Sequence, residues 1–189
     1  MNRKTPYSYW RRVAPHTSFE FADDYARPLL VAKRKTPETL NDITMGQLIR
    51  LTNQLTENED FPLTVCETLL GMTAHQTLKA PAVEVVAFAG WAAGELKRIG
   101  DIWKAANIEP TKEESAAGVS NLSFGFFGTL DWYAQRMGIQ RHADVENVKW
   151  VVVYQCSKMD GERTLYERRL QKQYADENNR QTNRAARRR

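Results

Sequence analysis

Residues 82–99 constrain the fold of this chain more than any other segment. Their apolar side chains recur at helical spacing on two sides of the segment. One side carries Val85, Phe88, Ala92, Leu96 and Ile99, and the other carries Val83, Ala87, Gly90 and Trp91. A helix that is apolar on most sides must be buried among other elements. The pattern therefore predicts a central helix that ends at Gly100, with Gly90 and Gly94 allowing a neighbour to approach closely.

Helix-start signals before this segment indicate that it packs against further helices. Thr44 with Gln47 and Thr73 with Gln76 form capping-box patterns, in which each side chain bonds the backbone N–H of the other residue. Pro62 suits the first turn of another short helix. The chain is therefore predicted to be mainly α, a compact multi-helix domain.

The C-terminal part of the chain contains a second helical tract. Residues 104–123 lose the apolar periodicity and predict a polar connection, and Asp144 then opens a tract with helical spacing. Residues 150–154 taken alone are typical of a buried strand, but the longer pattern favours a helix. Gly161 is predicted to interrupt the tract. An amphipathic helix is expected after it, with the apolar residues Leu165, Tyr166, Leu170 and Tyr174.

The charge of the chain is unevenly distributed. Residues 1–36 contain 8 Lys and Arg against 3 Asp and Glu, residues 37–161 contain 10 against 16, and residues 162–189 contain 9 against 4. An acidic body thus lies between two basic ends, an asymmetry typical of interaction arms or solvated tails.

The composition divides the chain into three parts. Residues 1–36 are interrupted by prolines and predict an irregular arm, residues 37–175 form the helical domain, and residues 176–189 lack any large apolar residue. A segment without apolar side chains cannot enter a core, so the last part is expected to be a disordered tail.

Two basic clusters at the ends of the chain allow several interpretations. The aromatic and basic residues of the arm could stack on bases, dock on a partner protein, or fold back over the body. The terminal arginines could contact phosphates or simply keep the chain in solution. The residues concerned are Tyr9, Trp10, Arg11 and Arg12 in the arm, and Arg187, Arg188 and Arg189 at the end.

Residues 124–133 are unusually aromatic, with glycines at positions 125 and 128. A core element is the commoner use of such a segment, and an exposed docking element is the alternative. If the segment docks a partner, its anchors are expected to be Phe124, Phe126, Phe127 and Trp132.

The chain lacks the motifs that carry enzymatic chemistry. His16, His75 and His142 form no metal-ligand pattern, and Cys66 and Cys156 lie far apart without a CxxC motif. No phosphate-binding glycine loop or nucleophile elbow is present. The sequence therefore predicts a non-enzymatic protein without a metal or cofactor. It also lacks a secretory signal and a membrane-spanning segment, so a cytoplasmic location is expected.

Over about residues 37–171 the chain resembles the tail assembly chaperones of long-tailed bacteriophages. The resemblance is carried by LNDITMGQLIRL, by a long helix ending in ELKRIG, by SFGFFGTLDW, and by VKWVVVYQCSKMDGERTLYERRLQ. It implies a small helical protein of the host cytoplasm that coats the tape measure protein, keeps it soluble, and recruits tail tube subunits.

A chaperone of this kind is expected to bind a helical partner through exposed apolar side chains. The candidates are the aromatic residues of segment 124–133 and the helix face of Leu165 and Leu170. The alternative hypothesis is a virion structural or nucleic-acid-binding protein that contacts phosphates through its basic ends.

The first prediction concerns secondary structure. Since capping boxes and helical periodicity recur along the chain, the far-ultraviolet circular dichroism spectrum should be dominated by the double minimum of α-helix. A spectrum dominated by strand would contradict the predicted fold class.

Overall fold

A computed structural model describes residues 4–13, 25–57 and 61–186 of the chain. These residues form a mainly α structure, which confirms the predicted fold class. The helices are α1 (Tyr7–Val13), α2 (Met45–Glu57), α3 (Phe61–Leu70), α4 (Ala74–Lys79), α5 (Ala82–Ala106), α6 (Lys112–Ala116), α7 (Gly125–Met137), α8 (His142–Glu146) and α9 (Trp150–Ala186). A short antiparallel hairpin, β1 (Leu30–Val31) and β2 (Arg34–Lys35), precedes α2.

Helix α5 is the central helix that the sequence predicts. The side that carries Val85, Phe88, Ala92, Leu96 and Ile99 is buried, and the helix packs against α1, α2, α3, α9 and β1. On the other predicted apolar side, Gly90 is buried, Trp91 is half-buried and Val83 is exposed. The ring of Tyr25 lies against Gly90, so close that it would overlap a Cβ atom at that position. Close approach at Gly90 is therefore confirmed. The same prediction for Gly94 is wrong, because no described residue comes within 4 Å of a Cβ atom placed there.

The prediction that Gly100 ends this helix is wrong, because α5 continues to Ala106. An interior glycine costs a helix only about 1 kcal/mol. The two residues Ile102 and Trp103 beyond it pack against the core, and this burial favours continuation.

Both predicted capping boxes are present. The N–H of Gln47 donates to Thr44 Oγ1 over 3.2 Å, and the N–H of Thr44 donates to Gln47 Oε1 over 3.0 Å. Thr73 and Gln76 make the same reciprocal pair before α4. The predicted polar connection after α5 also contains a capped helix, α6, which starts after Thr111.

The tract predicted to run from Asp144 is divided into α8 and α9. The break at residues 147–149 lies beside the chain that leads into α2: Met45 N–H donates to the carbonyl of Val148 and Trp150 N–H donates to that of Ile43. These bonds hold the chain extended between the two helices. Residues 150–154 are helical, as the longer pattern predicts.

The predicted interruption at Gly161 is wrong, since α9 passes through it without a break. A Cβ atom there would lie 3.4 Å from the Ile108 side chain. Ile108, in the chain after α5, therefore lies close to α9 at this position, at the distance of an ordinary van der Waals contact.

The expectation of a disordered tail over residues 176–189 is wrong for residues 176–186, which are helical. Helix α9 continues to Ala186, and the side chains of residues 171–184 are exposed; residues 187–189 lie outside the described residues. A helix that is already nucleated gains one hydrogen bond for each residue added, so it extends without burial. Composition correctly predicted that this segment stays out of the core, but not its conformation.

The described part of the arm is folded back over the body. Tyr7 is buried, its N–H donates to the carbonyl of Ala80, and the N–H of Ala82 donates to the carbonyl of Thr5. Among the three interpretations of the arm, folding back is thus the one that residues 4–13 adopt.

The loop before α2 connects the two longest helices at Leu40. Its buried backbone N–H donates to Glu95 Oε2 of α5 over 3.0 Å, and its carbonyl accepts the indole N–H of Trp150 of α9 over 2.7 Å. Arg98 holds the Glu95 carboxylate from the other side. Burial acts to raise the pKa of Glu95, but the hydrogen bonds from Arg98 and Leu40 outweigh it and hold the pKa below its usual range.

Replacing Trp150 by Phe tests this junction. The substitution leaves the buried carbonyl of Leu40 without its indole donor, and a stranded buried acceptor costs about 1 to 3 kcal/mol. Urea unfolding should show a loss of at least this size. Trp91→Phe, at a half-buried tryptophan of α5, is the matched control and should lose less. Equal losses in the two variants would contradict the role of the Trp150 hydrogen bond.

Candidate functional site

Helix α7 is exposed at its start and buried further along. Leu130, Tyr133 and Ala134 enter the core, whereas Phe124 and Phe127 are 69% and 62% exposed. The two interpretations of segment 124–133 thus apply to different turns of one helix. Its later residues anchor it in the core, and its first turn displays aromatic side chains to solvent.

Two glycines shape this first turn. Gly125 has φ of +53°, a left-handed conformation that side chains rarely adopt. At Gly128, a Cβ atom would lie 2.6 Å from Cβ of Phe124, so only glycine lets the Phe124 side chain fold across the turn. The glycines therefore set the direction of Phe124.

Phe124 lines a cleft between the end of α5, the start of α7 and the middle of α9. The cleft has a volume of about 510 Å³. Its apolar walls are made by Trp103, Ile108, Phe124 and Trp132, and its floor toward α9 includes Gly161.

Phe126 lines a second cleft on the other side of the same turn, between α2, α5 and α7. This cleft has a volume of about 400 Å³ and is lined mainly by Met45, Leu48, Leu96, Ile99, Trp103 and Phe126. Gly125 and Thr129 line both clefts, so the first turn of α7 forms the ridge between them. We call Phe124, Phe126, Phe127 and the two clefts the α7 docking surface.

The charged groups near the first cleft are paired. Arg136 Nε lies 3.0 Å from Asp160 Oδ2, and Arg168 bonds both oxygens of the Glu114 carboxylate at 2.8 and 2.9 Å. The hydrogen bond that Arg136 donates to Asp160 raises the pKa of Arg136 above its usual value. Both pairs tie α9 to neighbouring elements, since Arg136 belongs to α7 and Glu114 to α6.

Phe127 stands apart from the two clefts. Its ring centroid lies 4.9 Å from that of His142, whose Nε2 is 3.1 Å from Asp131 Oδ1. Gln135 donates to the other oxygen of Asp131 over 2.6 Å. The histidine is therefore held by a carboxylate and supports one face of the Phe127 ring, leaving the rest of that ring to solvent.

The structure brings some predicted site residues together and separates others. Trp132 is half-buried and lines the first cleft beside Phe124. Leu165 and Leu170 do not share a helix face, because residues five apart in an α-helix differ by about 140°. Neither of them lines a cleft, although Thr164 does.

The predicted basic clusters have different environments. In α1, Tyr9, Arg11 and Arg12 are exposed, and Trp10 stacks on Tyr7 with ring centroids 5.7 Å apart. Arg187, Arg188 and Arg189 lie outside the described residues.

Sequence reasoning missed Trp103, which lines both clefts. It falls beside the segment interpreted as a polar connection, beyond the predicted end of the central helix. The signal was present, because Leu96, Ile99 and Trp103 continue the spacing of the central helix for one further turn.

The thiols have contrasting environments. Cys66 is fully buried, and burial raises its pKa to about 12 despite a hydrogen bond with Thr77. Cys156 is partly exposed, with its Sγ 3.5 Å from Arg136 Nη1. Within residues 4–13, 25–57 and 61–186, no group of three or more His, Cys, Asp or Glu side chains has a metal-binding arrangement.

No known family, curated protein or solved structure matches this chain. Over the described part of the chain, no helix has the length and hydropathy that crossing a membrane requires.

Thiol reactivity should differ between the two cysteines. The native protein should react quickly with a disulfide reagent at Cys156, whereas Cys66 should react only after unfolding, because its thiol is buried and protonated at neutral pH. Titration with the reagent, with and without denaturant, separates the fast reaction of the native protein from the reaction that requires unfolding. The same titration of Cys156→Ser shows which cysteine gives the fast phase. A fast phase that persists in Cys156→Ser would show that Cys66 is accessible.

Proposed function

We propose that this chain is a non-enzymatic binding protein that captures an apolar helical segment of a partner protein on the α7 docking surface. The role that its sequence resemblance implies, that of a phage tail assembly chaperone on the tape measure protein, is the specific form of the proposal. The observation that carries it is the exposure of Phe124 and Phe127 at the start of α7, where Phe124 and Phe126 line two clefts with apolar walls.

The geometry of the surface suits a helix as ligand. Phe124 lines the first cleft and Phe126 lines the second, on opposite sides of one ridge. A partner in the first cleft meets two aromatic walls, Phe124 and Trp132. Amphipathic helices insert apolar side chains of one face into grooves of this kind. Large aromatic side chains are also the residues that most often dominate binding energy.

The electrostatics favour an apolar contact. Among the residues that line the first cleft, Asp160 is charged, and its carboxylate is paired within the chain with Arg136. A partner that relies on buried apolar side chains is insensitive to salt, because screening acts only on charges. The tape measure protein, a long helical protein, fits this description under the resemblance.

The alternative function, phosphate binding through basic ends, has a different signature. Binding through several phosphate contacts loses about 10³-fold in affinity between 50 and 200 mM salt. A complex held on the α7 docking surface should change little over that range, so a steep salt dependence favours the nucleic-acid or virion hypothesis.

The decisive variant is Phe124→Ser with Phe127→Ser, tested by co-expression with the tape measure protein encoded in the same genome. The exposed pair contributes little to the fold, so thermal unfolding should stay unchanged. The affinity should fall at least about thirtyfold, which corresponds to the loss of about 2 kcal/mol at an anchor. The tape measure protein should then become insoluble.

The matched control is Leu29→Ser with Leu30→Ser. These leucines are also exposed, but they lie beside the N-terminal end of α5, where the N–H of Ala32 donates to Glu84. The control should keep binding at full strength. If both double variants bind alike, or if the wild-type chain does not bind the tape measure protein, the proposed function is wrong.

A further inference from the structure

Helix α9 carries a stripe of apolar side chains on the side that faces away from the body. Val152, Met159, Tyr166 and Tyr174 are exposed and Leu170 is half-exposed. Their spacings of seven, seven, four and four residues place them on one face of an α-helix. The stripe is about 33 Å long at 1.5 Å per residue.

The body covers a different face of α9. Trp150 and Val153 are buried, and Ser157, Gly161 and Thr164 line the first cleft. This covered face is roughly opposite to the stripe on a helix of 3.6 residues per turn. Between Val152 and Met159 the same face carries Cys156, which packs against the core. From Met159 to Tyr174 the stripe is open to a second helix, and α9 is also far longer than a typical globular helix of about 10–14 residues.

We propose that a second copy of this chain pairs with α9 in antiparallel orientation, with the two-fold axis at Leu170. A symmetric pair brings each residue opposite the one equally far on the other side of the axis. Leu170 then meets Leu170 of the second copy, and Tyr166 meets Tyr174. This inference does not rest on the α7 docking surface.

Charge complementarity selects this partner and this orientation. Arg163 and Glu177 are exposed, lie seven residues on either side of Leu170, and fall close to the stripe. Antiparallel pairing therefore places Arg163 of each copy opposite Glu177 of the other. In a parallel pair, Arg163 would meet Arg163 and Glu177 would meet Glu177, which is repulsive.

The present partner of Arg163 does not compete strongly with this pairing. Its Nε lies 3.1 Å from Oε1 of Glu167, one turn along α9, and both side chains are exposed. Exposed pairs at this spacing stabilise a helix only slightly. The Arg163 side chain can therefore turn toward a second copy at little cost.

The first experiment measures mass by light scattering and sedimentation on the full chain, at protein concentrations up to about 0.1 mM, where weak specific complexes are populated. The wild type should dimerise with concentration. Leu170→Lys should be monomeric, because it places two ammonium groups at the axis. Gln171→Lys, which adds the same charge about 100° away from the stripe, should still dimerise. A monomeric wild type, or a Leu170→Lys dimer, would overturn the proposal.

The second experiment exchanges the charges. Arg163→Glu places a carboxylate opposite Glu177 of the other copy, and the symmetry of the pair repeats this repulsion at a second position. The dimer should therefore weaken roughly tenfold. Combining it with Glu177→Arg restores opposite charges and should recover wild-type affinity. The carboxylate introduced by Arg163→Glu repels Glu167 of its own helix equally in both variants, so recovery reports the contact between copies. Failure to recover would rule out this register.

The third experiment fixes orientation by oxidation in a Cys156→Ser background. Tyr166→Cys alone and Tyr174→Cys alone should not cross-link, since antiparallel pairing separates identical positions by eight residues or about 12 Å. A mixture of the two variants should form the disulfide. Cross-linking of either variant with itself, and not of the mixture, would show a parallel pair and contradict the proposal.

Discussion

Leu40 joins the helices on which the rest of the structure depends. Its N–H donates to Glu95 of α5, its carbonyl accepts from Trp150 at the start of α9, and its side chain is buried. Both polar groups of one residue are thus satisfied by different helices. Because α9 is anchored at its first residue, its direction relative to α5 is set there. The first cleft lies between these two helices and α7, so its width depends on this buried junction.

The α7 docking surface combines a rigid support with exposed aromatic side chains. Leu130 and Tyr133 fix α7 in the core, while Gly125 and Gly128 give the preceding turn a conformation that other residues would not permit. Aromatic groups held in this way lose little conformational freedom when a ligand binds, which favours affinity. Under the proposed function, the exposed rings form a binding surface that is already shaped before the partner arrives.

Helix α9 connects the two proposed interactions. Its inner face closes the first cleft through Ser157, Gly161 and Thr164, and its outer face carries the stripe that includes Leu170. In the proposed antiparallel pair, the two bodies lie toward opposite ends of the joined helices, and each keeps its own proposed docking surface. Such a unit presents two identical surfaces to one elongated partner, and linked surfaces strengthen binding without new contacts.

The sequence by itself determined the helical class, the central helix and both capping boxes before α2 and α4, because these features depend on local spacing and on side chains within three or four residues. Only the tertiary structure decided that α5 continues through Gly100 and α9 through Gly161, that residues 176–186 are helical, and which aromatic residues face solvent. A glycine ends or continues a helix according to the packing beyond it, and a phenylalanine is buried or exposed according to distant helices. Phe124 and Leu130 are both large apolar residues of one segment, yet the first is exposed and the second is buried.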